Sequence, residues 1–217
     1  MIPAVLITDP VSADVEVVTS WFELLVKGGV IMIPILLLSL LSVYLFIERF
    51  SYIRQMTRID GDSINNILQK MRSARVSEAI TDAQNDNTAT GRIILSGLGK
   101  ADKPVQEIES ILESTTNLEI TKMEKNTGYL GLIAGIAPML GFIGTISGVI
   151  KIFYNISLAD NISIGIIAGG LYQKMICSGA GLIVGVIAYS CYHYLQMEID
   201  RYTIRLQENL LNFLKEL

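Results

Sequence analysis

GYLGLIAGIAPMLGFIGTISGVIKIFYNI at residues 128–156 and ISIGIIAGGLYQKMICSGAGLIVGVIAYSCYHYL at 162–195, separated by SLADN at 157–161, decide the fold. Each segment exceeds the roughly 20 apolar residues that carry a helix through a hydrocarbon core about 30 Å thick. Both are studded with Gly, Ala, Ser and Thr at helical spacing, a composition suited to helices packed closely on one another in lipid. The pair reads as a transmembrane hairpin, with 157–161 as its short outer loop.

A third apolar block, VIMIPILLLSLLSVYLFI at 30–47, lies upstream and is free of charge until Glu48. Pro34 falls in its first turn or two, where a missing N–H costs least, and Tyr44 sits near one end as an interfacial anchor. Half of the 217 residues are hydrophobic, mean hydropathy is +0.47, and the apolar residues are gathered into these three blocks. The chain is therefore expected to be an all-α integral membrane protein with three transmembrane helices.

Residues 1–29 carry no basic run ahead of an apolar core, so a cleavable signal peptide is not expected. Val18, Trp21, Phe22 and Leu25 make an apolar stripe suited to a helix lying in the membrane interface. Residues 48–127 are mixed in charge and amphipathic, the pattern of a small helical domain. Gly61, Asp62 and Ser63 suggest a helix start, Asn85 to Asn87 a loop, and Pro104 the start of a further helix. That last helix places Val105, Ile108, Leu112, Thr115 and Leu118 on one stripe and meets no breaker before Gly128. It is expected to run unbroken into the second span. Residues 196–217 repeat apolar positions at three- and four-residue steps, extending the third span as an amphipathic tail.

The flanking cations set the orientation. Arg49, Arg54, Arg58, Lys122, Lys125, Arg201 and Arg205 lie beside one set of span ends, whereas 157–161 has none and the N-terminal segment has only Lys27. The positive-inside rule then places the N-terminus outside and both 48–127 and the tail in the cytoplasm.

Several function classes are disfavoured. Net charge is −4, without the basic patch that tracks nucleic acid. Cys177 and Cys191 lie on one helix about 21 Å apart, too far to pair. With a single His193 beside them no metal or cofactor site is expected. No nucleophile and base pair or phosphate-binding loop argues for an enzyme.

Polar groups inside the hairpin demand an explanation. Gly131, Gly135, Gly141, Gly144 and Gly148 in the second span, with Gly181 and Gly185 in the third, are expected to mediate helix packing, including contacts between copies. Thr145 and Ser178 either bond their own i−4 carbonyls or line an ion path. Lys174, about 18 Å from the outer end of its span, is too deep to snorkel, which points to a pore, a cavity or a carboxylate partner. No Asp or Glu lies inside the spans, so a proton path needs a carboxylate from another chain.

Leu118-Glu119, Met123-Glu124-Lys125-Asn126 and Gly135-Ile136-Ala137-Pro138-Met139-Leu140-Gly141-Phe142-Ile143-Gly144-Thr145-Ile146-Ser147-Gly148 together resemble the signature of the MotA/TolQ/ExbB proton-channel family, most closely its ExbB branch. Ser178 to Val184 is similar to the second signature, and Phe22 to Gly29 to the usual lead-in. The resemblance implies a multi-pass subunit of the bacterial inner membrane, five copies ringed around the helices of an ExbD-like partner. That partner's membrane aspartate carries the proton. Its work would pass to a TonB-like protein, or to a TolQ-like or gliding-type system; a non-conducting scaffold is the alternative. Thr145 matches the pore threonine of span two. Ser178 stands where a pore threonine is common, Gln173 where a glutamate is common, and Ile187 where a proline is common.

Overall fold

A computed structural model describes residues 29–57, 66, 67, 69–71, 73, 75–100, 102–158 and 164–215, and its ordered elements are helices. They are α1 (Met32–Met56), α2 (Val76–Asn85), α3 (Ala89–Leu98), α4 (Val105–Glu124), α5 (Thr127–Leu158) and α6 (Ile164–Lys215). The expected interfacial helix near Trp21, the helix start at residues 61–63 and most of the loop at 157–161 lie outside the described residues. Three helices are long and apolar enough to cross a membrane.

α1 has apolar residues around its whole circumference. Met32, Ile35 and Leu45 are buried against α5 and α6, whereas Ile33, Leu37, Leu40 and Ile47 are exposed. A helix apolar on every side belongs in lipid, not at a water-facing surface. Where the apolar run ends, the buried Arg49 pairs with Glu48 at 2.6 Å and lies over the Tyr52 ring.

α5 and α6 form the hairpin, and α6 continues without interruption through the tail to Lys215, as the sequence predicts. Beyond the apolar zone, Ile199, Tyr202, Leu206 and Phe213 of α6 are buried with Ile93, Ile94 and Leu98 of α3 and with Ile108 and Leu112 of α4. The loop expected at residues 85–87 is built as two caps. Asp86 Oδ1 accepts from the Thr88 amide at 2.9 Å, and Thr88 Oγ1 accepts from the Gly91 amide at 3.2 Å, starting α3.

Two sequence expectations are corrected. The helix from Pro104 does not run unbroken into the second span: Lys125 is extended and Asn126 takes a positive φ of 66°, separating α4 from α5. Asn tolerates the left-handed region better than most residues, so it breaks a helix without Gly or Pro. The buried stripe of α4 is also shifted. Ile108 and Leu112 are inside, but Val105 and Leu118 are exposed, and Thr116, Glu119 and Met123 complete the face. A carboxylate can occupy that face because Glu119 meets Arg92 and Lys122, each at 2.7 Å.

Candidate functional site

The hairpin interface is built around absent side chains. A Cβ at Gly181 would stand 2.6 Å from the Ala137 carbonyl oxygen, and one at Gly141 would stand 3.0 Å from Ser178 Cα. At Gly185 it would meet the Pro138 ring at 2.5 Å. Pro138 lies inside α5, where it removes one backbone donor. Its ring enters the notch that Gly185 leaves open, so the α5 irregularity and the α6 glycine are complementary. One turn outward, a Gly144 Cβ would meet Cys177 Sγ at 2.9 Å and Ile31 of the α1 start at 3.4 Å. Gly148 is covered by the aliphatic stem of Lys174.

These five glycines thus face helices of the same chain. The other two differ. Gly131 has only ordinary contact with the Tyr192 ring, 3.8 Å from a Cβ position, and Gly135 is open within 4 Å. Cys177 is fully buried at the point where all three spans meet.

Thr145 and Ser178 are brought to adjacent levels of this interface. The Thr145 hydroxyl donates to the Gly141 carbonyl of its own helix at 3.2 Å and to the Lys174 carbonyl across the hairpin at 3.3 Å. Gly141, one turn from Thr145, is level with Ser178, so the two hydroxyl residues are offset by one turn, about 6 Å of rise. Both side chains are half-buried.

Lys174 lies level with the start of α1. Its Nζ comes within 3.9 Å of the Gly29 Cβ position, beside the start of α1. α5 runs on past that level to Leu158, and α6 begins before it at Ile164. Among the described residues Lys174 makes no ion pair, and no His, Cys, Asp or Glu cluster could hold a metal ion.

A second polar cluster lies where α1, α3, α4 and α6 converge. Glu119, 3% exposed, receives hydrogen bonds from Arg92 and Lys122, while Arg92 also donates to the Asn87 carbonyl at 3.1 Å. Burial alone would raise the Glu119 carboxyl, but the two cations outweigh it and hold the group below its ordinary value. Tyr202 bonds Thr90 at 3.0 Å, and burial pushes its phenol up to about 12. Sequence periodicity misses this cluster because it scores every charge as solvent-facing.

The profile of the MotA/TolQ/ExbB proton channel family matches residues 85–208, covering α3 through most of α6. The putative biopolymer transport protein ExbB-like 3 of Synechocystis sp. is 28% identical over 161 residues, 73% of this chain and 77% of the relative. The putative ExbB homolog of Methanothermobacter thermautotrophicus is 27% identical over 179 residues, 82% of this chain but 63% of the relative. The Tol-Pal system protein TolQ of Haemophilus influenzae is 25% identical over 100 residues, 46% of this chain and 42% of the relative. The chain belongs to the MotA/TolQ/ExbB proton channel family, close to its ExbB members.

Proposed function

We propose that this chain is an ExbB-like subunit of the bacterial inner membrane that assembles as a homo-oligomer, five copies in the family resemblance, around an ExbD-like single-span partner. Proton flow through that assembly would do mechanical work on a TonB-like protein. The observation that carries the proposal is the Thr145 and Ser178 pair, set one turn apart in spans that contain no Asp or Glu. A partner carboxylate supplies the titrating group, and hydroxyls suit both its states because each can donate and accept. In the isolated chain the Thr145 proton is engaged by two carbonyls, which leaves its lone pairs to receive the protonated acid.

The same bifurcated bond favours the alternative of a non-conducting scaffold, in which Thr145 only ties α5 to α6. Proteoliposomes holding this chain with its partner distinguish them. Thr145→Val, nearly equal in volume, is expected to abolish proton uptake while leaving assembly intact. Normal uptake in that variant would return the hydroxyl to a packing role.

The orientation proposed has residues 1–29 periplasmic and residues 48–127 and 196–217 cytoplasmic. Cysteines introduced at positions 84–88 should resist an impermeant thiol reagent added outside spheroplasts. Their ready labelling there would reverse the orientation.

A further inference from the structure

α1 and α6 run parallel and leave the apolar zone side by side. The start of α1 at Ile31 is level with Cys177, well inside α6, and further along Ile53 of α1 and Leu195 of α6 line one cleft. That cleft holds about 280 Å³ and continues through Thr57 and Glu198 into a smaller hollow beneath Arg201 and Arg205. Arg54 stands on the α1 side, its guanidinium 5.9 Å from the centre of the Phe50 ring. The hollow and cleft therefore present three guanidinium groups against the single carboxylate of Glu198. Glu198 accepts from Arg201 at 2.9 Å, and Arg54 and Arg205 form no ion pair among the described residues.

The height of the cleft fits a lipid headgroup. The last exposed aliphatic residue of α1 is Ile47, and Arg54 follows about 10 Å farther along the axis, close to the headgroup zone. Helical side chains lean toward their own N-termini, which for both α1 and α6 is toward the apolar zone. The Arg54 guanidinium is thus carried back to phosphate level, and Arg201 and Arg205, set farther along α6, lean toward it. The carbonyl end of α1, unfavourable to an anion, is partly covered: the Thr57 amide and hydroxyl both donate to Ile53 O at 2.8 Å. Toward the bilayer the cleft opens onto an aromatic wall, Phe46 on Phe50 at 5.7 Å and Phe50 beside Tyr194 at 6.1 Å.

We infer that this cleft is a binding site for an anionic phospholipid. The phosphate lies among Arg54, Arg201 and Arg205, and the acyl chains descend along Phe46, Phe50 and the exposed Ile47. Guanidinium forks match phosphate oxygens in a way that a zwitterionic headgroup, carrying its own cation, partly cancels. Continuity with the lipid-facing surface of α1 selects a lipid over free phosphate.

Native mass spectrometry of the full chain, delipidated in mild detergent and titrated with dioleoyl phosphatidylglycerol, tests the site. Phosphatidylglycerol is expected to be retained roughly tenfold better than phosphatidylcholine, as cations near the surface attract anionic lipid. Arg54→Gln with Arg205→Gln should lose most of that preference. Arg54→Lys with Arg205→Lys should keep more of it, and Arg75→Gln, remote and exposed, should change nothing. Equal retention of the two lipids, unchanged retention in the glutamine pair, or equal losses in the glutamine and lysine pairs would overturn the proposal. So would full competition by sodium phosphate at the lipid's concentration.

Discussion

At Gly181 the missing Cβ would stand against the backbone oxygen of Ala137, which cannot rotate away, whereas at Gly135 a side chain meets nothing within 4 Å. Identical substitutions at these positions therefore ask different questions. Gly181→Leu is expected to force α5 and α6 apart and lower stability by roughly 1–3 kcal/mol or more. Gly135→Leu should leave the stability of the chain within about 0.5 kcal/mol. Thermal unfolding in detergent, with particle mass measured beside it, separates the two. If Gly135→Leu alters the mass of the assembly at unchanged stability, that glycine acts between copies. If Gly181→Leu melts like the parent, the hairpin is not limited by its glycines.

The division of one long apolar and amphipathic run into α4 and α5 rests on Asn126. Lys125 still closes α4 through its amide to Thr121 O at 3.0 Å, and Thr127 Oγ1 bonds Glu124 O at 2.7 Å, so the chain is tied on both sides of the break. Asn126→Gly is expected to leave stability nearly unchanged or slightly altered, since glycine adopts φ of 66° freely. Asn126→Val should cost roughly 1–2 kcal/mol, the penalty of the left-handed region for a residue with a full Cβ. A valine variant more stable than the parent would show that the helix gains by straightening. This break was not legible in the sequence because a lone Asn is compatible with helix. The three spans were, since residues 30–47, 128–156 and 162–195 are apolar on all sides and nothing local competes. Thr145 and Ser178 were legible as hydroxyls in lipid, but the Lys174 carbonyl that Thr145 meets depended on the pairing of α5 with α6.

Across the whole molecule, the lipid-facing hairpin is joined to a water-facing helical core through the buried cluster of Glu119, Arg92, Lys122 and Tyr202, and this cluster gives the fold two pH limits. Glu119 has a folded value below its ordinary 4.5, so its contribution is present above about that pH and is lost as pH falls through the lowered value. Tyr202 has the opposite character: buried as a neutral phenol and pushed from 10.0 to about 12, it contributes fully below pH 10 and loses that contribution as pH rises toward 12. Glu119→Gln should lower stability at neutral pH, by weakening the bonds to Arg92 and Lys122, yet flatten the decline on the acid side. Tyr202→Phe should leave the buried Thr90 hydroxyl without its partner, at about 1 kcal/mol, and flatten the decline between pH 10 and 12. Thermal midpoints of the purified chain across pH 3 to 12 measure both limbs. Acid and alkaline profiles of the variants running parallel to the parent would place the pH limits in other groups.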